Sequence, residues 1–597
     1  MSVINGAPIF LREASADTAY QIEKSLRFNS ADSAYLSKTT SLGNRRAYTI
    51  AFWIKYDYSS TTRQCLISTA NSSNSDGFYF DLEHNTSSDE GRFHIYDYSG
   101  GYSWRLLTSA RYKDPAAWMH ICFVYDSANS TSSERARLYI NGERVTTFST
   151  ASYPGQYYES KIEEQSRTLT ISRNGAYNAN YLNSYVSDFQ FISGLTLSPA
   201  AFGTFDSTGV WNPKEFALPA PNDGTTWSSS ASSTGNVWTS TTNNATFTPA
   251  VTYDGTLNGG TGPYTNGTAT FPVGTQTGKH HFRYYGRLYS GAKIEDQDGN
   301  TLLTSSANND TPTWWDIGWH SDVTSLKWVQ PSNANTSYVY AIEVDGVMLV
   351  DGKTDPTTRN NPNDGTNWTS KLSGPGLNAS TKDHIFDGGN DIHEMTSASN
   401  YTFTHTFTDV QSLRVYGYAG SSAGVGACDI AVNGSGATAP TTAQRSSNCW
   451  VSLPVPADGE VTSIKWTRHS ASGGEEFDPR MVEVNGHVLI DNTVDNSYHL
   501  KFNNTSDIGE DSLNSNDFTA NNLTGSGTGT DLLNDTPTNF ESGGTVHGNF
   551  CTWNPLDNNG NTLSNGNLTC NGADKNVKST IAVSSGKWYF ENTGRNS

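Results

Sequence analysis

The stretch EVDGVMLVD, Glu343 to Asp351, returns almost unchanged as EVNGHVLID, Glu483 to Asp491, 483 − 343 = 140 residues further on. Ile342 and Val344 lead into Asp345-Gly346, and Val347 and Leu349 lead out; in the second copy Asn485-Gly486 holds the corner. Asp-Gly and Asn-Gly are the preferred pairs for a type I′ turn, in which both central residues need positive φ. The corner chemistry is kept while its letters change, so each copy reads as a β-hairpin. The likeness extends outwards: TSLKW (Thr324 to Trp328) matches TSIKW (Thr462 to Trp466), FRYYG (Phe282 to Gly286) matches LRVYG (Leu413 to Gly417), and PNDGTTW (Pro221 to Trp227) matches PNDGTNW (Pro362 to Trp368). Offsets of 138, 131 and 141 residues mean that only loop lengths drift. Two tandem modules are therefore expected at residues 217–357 and 358–498, each of the length and turn spacing of one β-sandwich. Too few copies and too long a period argue against a solenoid. Tandem repetition gains length or multiplies weak binding.

Composition widens this to the whole chain. Its 597 residues predict about four domains. Aromatic residues make up 12% and charged residues only 16%, so the polarity comes from Ser, Thr, Asn and Gly. Aromatics between small turn residues describe short strands and tight corners, and no long run carries the apolar spacing of a helix. The expected class is all-β: a jelly-roll β-sandwich, two tandem sandwich repeats and a partial C-terminal β module. A formal charge of −20, from 58 acidic against 38 basic residues, is repelled by nucleic acid and anionic membranes. No apolar run has the length to insert in a bilayer, and MSVINGAPIFLRE lacks the basic start of a secretory signal. Sequons such as Asn71, Asn85, Asn129, Asn244, Asn335 and Asn367 then fit a host that never reads them. None of the six cysteines has zinc-ligand or redox spacing, so reduced thiols and assembly in a cytoplasm are expected.

Residues 25–216 differ from the repeats. YTIAFWIKYD (Tyr48 to Asp57) and WMHICFVYD (Trp118 to Asp126) are near-continuous apolar strands, and RLYINGERV (Arg137 to Val145) turns on Asn141-Gly142. With SLRFNSADSAYLSK (Ser25 to Lys38), this order resembles the laminin-G-like, concanavalin-A-like jelly roll. The run YVSDFQFISGLTLSPAAFGTFDSTGVWNPKEF (Tyr185 to Phe216) is similar to such domains in structural and tail-fibre proteins of marine bacteriophages, cyanophages included. Residues 1–24 would then be an arm for attachment to the particle. The polar stretch Phe502 to Leu523 reads as linker. DLLNDTPTNF, GNFCTWNPLD, LSNGNLTC and SSGKWYFE resemble the lead-in of SPRY-like sandwiches in the same class of proteins, so residues 499–597 are expected to be a linker and a partial SPRY-like module.

Few residues of the chain are candidates for chemistry. GSSAG (Gly420 to Gly424) fits G-x-S-x-G with Ser422 as nucleophile, but it lies in a Gly/Ser loop instead of the required strand–elbow–helix. Glu475, Glu476 and Asp478 are carboxylates of one loop that repeat 1 lacks, which reads as a solvated loop instead of a glycosidase pair. His384 and His393 have no metal partners in sequence. EDQDGN (Glu295 to Asn300) suggests calcium on Asp296 and Asp298, and the laminin-G-like resemblance implies calcium at a loop rim without naming its ligands. Aromatics remain as sugar platforms: Trp314, Trp315 and Trp319 in TPTWWDIGWH, and Tyr98, Tyr102 and Trp104 in YDYSGGYSWR, each weighed against core packing. The resemblance implies a virion protein, a bacteriophage tail fibre assembled in the host cytoplasm. Its partners would be other virion proteins and a host-surface glycan, and homotrimerisation follows by analogy. Required cofactors and enzymatic activity are not expected. The alternatives are a polysaccharide-degrading tailspike-type enzyme and a bacterial surface adhesin.

Overall fold

The computed structural model describes residues 20–584 and 592, apart from 58–61, 71–75, 85–90, 241–245, 258, 275–277, 332–335, 376, 379, 390, 392–398, 442–443, 470–475, 528 and 573–575. The molecule is all-β, and every helical element among the described residues is a 3-10 turn of three or four residues. The chain divides into two compact units, residues 1–215 with 494–597, and residues 216–493. No helix among the described residues is long and apolar enough to cross a membrane. All six cysteines are free thiols.

The first unit is a jelly roll of two eight-stranded sheets. One sheet runs, in spatial order, Glu143–Arg144, Ala136–Ile140, Trp118–Asp126, Ala47–Tyr56, Ser184–Ser193, Ser25–Phe28 and Leu532–Leu533, with Tyr498–Leu500 beside Ser184–Ser193. The other runs Phe148–Ser152, Tyr102–Thr108, Arg92–Tyr98, Gly77–Glu83, Gln64–Ser68, Thr168–Ile171, Tyr35–Thr39 and Thr519–Asn521. Between them lies a core of Phe, Tyr and aliphatic residues that includes Phe52, Phe80, Phe123 and Trp104.

Residues 499–597, expected to be a linker and a partial SPRY-like module, belong to the same compact unit as the jelly roll. Tyr498–Leu500, Thr519–Asn521 and Leu532–Leu533 join its sheets, while Phe540–Ser542 with Thr545–His547 and Thr562–Ser564 with Thr569–Asn571 form two small sheets of their own. The reason is an uncovered edge. Ser184–Ser193 is ten residues long, and Ser25–Phe28 pairs with only its first three, Ser184 to Val186. Phe189 to Phe191 would be left as a bare edge, which proteins avoid, and Tyr498–Leu500 takes it. Tyr498, Leu500, Phe502, Ile508, Phe518 and Leu532 all enter the jelly-roll core. Polar clasps fix the return. The Lys55 ammonium, 1% exposed, donates to Asp535 (2.8 Å) and Asn549 (2.9 Å), and Trp118 Nε1 donates to Asp535 (3.0 Å). The Arg27 guanidinium pairs with Asp531 at 2.9 Å. Of the expected attachment arm, residues 1–19 lie outside the described residues, while Tyr20 donates to Asp188 and the Ile22 amide to Thr538, both at 2.9 Å. Most of SSGKWYFE, from residue 585 onwards, also lies outside them.

In the second unit the two repeats share one strand order. The first sheet of repeat 1 is Ser232–Thr234, Thr268–Pro272, Ser325–Val329, Lys293–Glu295 and Thr301–Thr304. That of repeat 2 is Leu372–Ser373, Ser399–Phe407, Val461–Arg468, Cys428–Val432 and Ser435–Thr438. The second sheets match as Thr313–Ser321, Lys279–Arg287, Tyr338–Val344 and Val347–Met348 against Ser447–Ser452, Leu413–Ala419, Phe477–Val484 and His487–Val488. Repeat 1 adds Thr261–Pro263 and Val237–Thr239 at one edge. Both hairpin corners have the expected positive φ, 53° and 84° at Asp345-Gly346 and 51° and 82° at Asn485-Gly486.

The recurring motifs clasp each other. Asn222 Oδ1 accepts from Trp227 Nε1 (3.1 Å) and the Val350 amide (2.8 Å), while its Nδ2 donates to the Met348 carbonyl (2.9 Å). Asn363 repeats this with Trp368 (3.1 Å), Ile490 (3.1 Å) and Val488 (2.9 Å). PNDGT-x-W and the nonapeptide thus recur together because each satisfies the buried polar groups of the other.

Candidate functional site

The strongest candidate lies on the outer face of the second jelly-roll sheet. Gly77–Glu83 sends Phe78, Phe80 and Leu82 into the core, so Tyr79, Asp81 and Glu83 face outwards by strand alternation. Arg92–Tyr98 likewise buries Phe93 and Ile95 and turns His94, Tyr96 and Tyr98 outwards. Tyr79 and Tyr96 stack with centroids 4.9 Å apart and form a small outer cluster with Ala70, Tyr98 and Ala176.

Tyr98, Tyr102 and Trp104 are in the hairpin strands Arg92–Tyr98 and Tyr102–Thr108. Tyr102 is 45% exposed and meets Tyr98 edge-on at 5.5 Å and Tyr96 at 5.2 Å. The Arg105 guanidinium lies 4.5 Å from the Tyr102 ring centroid. Trp104 is 0% exposed and stacks on Phe123 in the core, so it is corrected from platform to packing. The cause is a bulge: Tyr102 opposes Tyr98 and Trp104 opposes Asp97, leaving Ser103 as the extra residue that flips the phase of the strand.

Beneath the rings lies a polar network. Arg63 pairs with Glu83 at 2.8 Å and donates to the Tyr96 hydroxyl at 3.3 Å; Tyr96 donates to Asp81 at 2.9 Å. His94 Nδ1 lies 2.6 Å from Glu83. Burial pushes the Asp81 carboxyl up to about 6, against the pull of Arg63. Burial also opposes charge on Glu83, but the His94 hydrogen bond and Arg63 outweigh it and hold that carboxyl below its usual range. An exposed ring flanked by an arginine suits a sugar, whose C–H face stacks on the ring while its hydroxyls find charged partners. Tyr98 and Tyr102 are sequence candidates that share this face; His94, Tyr96 and Arg105 stand beside them and were not candidates, although alternation within RFHIYDY and YSWRLLT carries the signal.

The tryptophans of repeat 1 are also separated by a bulge. Trp315, partly buried, stacks on buried Tyr284 and donates to the Gly286 carbonyl, so it packs against the core. Trp314 packs on Tyr285 on the outer face, and Trp319 lies against His281, whose Nε2 is 2.9 Å from Asp316. Ile317 is the extra residue that switches the phase.

Asp296 and Asp298 line a polar depression with Thr270, Gln297, Gly299, Ser325 and Lys327. Both Asp296 oxygens serve the turn, Oδ1 accepting from the Asp298 and Asn300 amides and Oδ2 from Asn300 Nδ2. Calcium takes six to eight oxygens, and the described residues hold no metal-capable group of three or more His, Cys, Asp or Glu; these two residues do not fit the ion. Ser422 is exposed in a turn. Glu476 faces Arg468 at 3.4 Å, Asp478 is buried within Phe477–Val484, and Glu475 and His393 lie outside the described residues.

A family model described as "Concanavalin A-like lectin/glucanases superfamily" matches residues 28–201. No curated protein matches the chain. Among solved structures, a native heptameric SAP-like pentraxin from Limulus polyphemus is similar at 16% identity over 29% of this chain and 77% of that one, with a TM-score of 0.23. The enzymatically active domain of tailspike protein 2 of bacteriophage CBA120 is similar at 15% identity over 30% and 26%, with a TM-score of 0.23. Domains LG4-5 of the mouse laminin alpha1 chain are similar at 11% identity over 58% and 96%, with a TM-score of 0.22. The N-terminal unit thus carries a laminin-G-like, concanavalin A-like lectin fold.

Proposed function

We propose that this protein is an adhesive appendage of a bacteriophage virion, a tail fibre that binds host-surface glycan through the outer sheet face of its jelly roll. The observation that carries the binding reading is the Tyr102 ring, 45% exposed on a lectin-like sheet and flanked by Tyr98 and Arg105. Loops and faces on a rigid sandwich are where such proteins place recognition. Weak contacts at single sites would be strengthened by copy number in a homotrimer. The virion assignment is supported by the resemblance of Tyr185 to Phe216 to phage structural proteins. Its partners there are the other proteins of the particle.

A glycan array probed with the full chain tests the binding reading. Tyr102→Ala is expected to weaken binding by about tenfold or more, the loss of one central aromatic contact; equal binding would refute the site. Mass spectrometry of purified virions tests the location, and absence from the particle would favour a bacterial surface adhesin. Host polysaccharide incubated with the protein is expected to keep its chain length. Shortened chains would replace adhesion with a tailspike-type enzyme.

A further inference from the structure

The two repeats share their cores and their Asn–Trp clasps because both need them to fold. They also share four residues on the outer face of the second sheet, where the core makes no demand. In repeat 1 the Arg283 guanidinium lies 4.7 Å from the Trp314 ring centroid and 3.2 Å from Glu343, and Tyr285 packs on Trp314 at 5.6 Å. In repeat 2 Arg414 lies 4.5 Å from the Trp450 centroid and 2.6 Å from Glu483, and Tyr416 packs on Trp450 at 5.2 Å. Register makes the positions equivalent. Tyr285 opposes Trp314 and Arg283 opposes Glu343, as Tyr416 opposes Trp450 and Arg414 opposes Glu483.

In repeat 2 the surroundings of this face come from repeat 1. Lys353, two residues beyond the repeated nonapeptide, has a side chain only 12% exposed and pairs with Asp355 at 2.7 Å. It also lies in the fields of Arg414 and Glu483. The Thr357 amide donates to Gln411 Oε1 at 2.7 Å, just before the strand that bears Arg414. Gln444 Nε2 donates to the Trp450 carbonyl at 2.9 Å and reaches the Asp254 carbonyl of repeat 1 at 3.4 Å. Two cations and two carboxylates, Lys353, Arg414, Asp355 and Glu483, thus make a neutral set. A buried charge is tolerated only when paired in this way.

We propose that the Arg–Trp–Tyr–Glu quartet is a module joint: in repeat 2 it seats the end of repeat 1, with Lys353 as the inserted group, and holds the repeats as one stiff piece. Stacking on Trp450 holds the Arg414 guanidinium flat. Glu483 pairs with Arg414 at 2.6 Å and Asp355 with Lys353 at 2.7 Å, so removing either cation leaves a carboxylate uncompensated. Repetition here serves reach, and the quartet on repeat 1 is the mark of a module built to stack. The inference does not rest on glycan binding by the jelly roll.

Hydrogen exchange on the full chain tests it. Lys353→Ala and Arg414→Gln are each expected to speed exchange of the Thr357 and Thr358 amides by about tenfold or more, while Ile342 and Val482 in the two cores keep their protection, because local opening is read separately from global unfolding. Unchanged linker exchange with both cores intact would overturn the joint. Lys353 lies outside the second sandwich, so its variant decides the matter if Arg414→Gln fails to fold. Loss of glycan binding in Arg414→Gln, with linker exchange unchanged, would make the face a ligand site and would also overturn the proposal.

Discussion

At the scale of single residues, neighbours in sequence have opposite roles. Trp104 is sealed in the core while Tyr102, two positions away, is half in solvent. Trp104→Ala should therefore cost about 3–5 kcal/mol of stability in urea unfolding, whereas Tyr102→Ala should stay within about 0.5 kcal/mol. Glu163 gives a pH signature. Its carboxyl is wholly buried, accepts from Ser193 (2.7 Å) and Asn496 (3.1 Å), and is pushed by burial from 4.5 up to about 8. The fold thus binds this proton more tightly than the unfolded chain does. Its contribution is full below pH 4.5 and lost as pH rises towards 8. Glu163→Gln should flatten that slope and gain on the order of a few kcal/mol over the parent at pH 8 to 9, measured by urea midpoints across pH. A parallel pH dependence in both proteins would show that Glu163 ionises freely.

Strands, hairpins and corners were the most legible level. Near-continuous apolar runs became the central strands Ala47–Tyr56 and Trp118–Asp126, since residues buried on both faces leave no alternation to misread. The Asp-Gly and Asn-Gly corners turned as expected because φ at those positions has few other solutions. Bulges were not legible. An extra residue at Ser103 or Ile317 changes which face every later side chain occupies, yet nothing in the local letters marks it, because the bulge is set by the partner strand. Long-range clasps were equally hidden. Lys55 lies 480 residues from Asp535 in sequence. Lys55→Met should remove about 3–5 kcal/mol by leaving Asp535 buried and unpaired, seen as a lower urea midpoint. A loss below about 1 kcal/mol, the size of a surface pair, would show the clasp to be solvated.

At the scale of the whole molecule, the chain inserts one compact unit into another. Residues 1–215 and 494–597 make the jelly roll, and residues 216–493 leave and return. Replacing 216–493 by a flexible Gly/Ser linker between Glu215 and Val494 should give a cooperatively folding jelly roll, whereas residues 1–215 alone should aggregate through the bare edge at Phe189 to Phe191. Equal solubility and equal melting of the two, followed by circular dichroism, would refute the insertion. By itself, the sequence determined the strand class, the hairpin corners, the spacing of the repeat and the aromatic candidates for a platform, but it ran the second repeat on to 498 where its unit ends at 493. These follow from backbone sterics and from hydrophobic periodicity, which act over a few residues. Only the tertiary structure decided that the polar C-terminal stretch closes the jelly roll, which aromatics face solvent, and what one repeat presents to the next. Those outcomes depend on which edges are left unpaired and which buried charges find partners, and the partners lie hundreds of positions away along the chain.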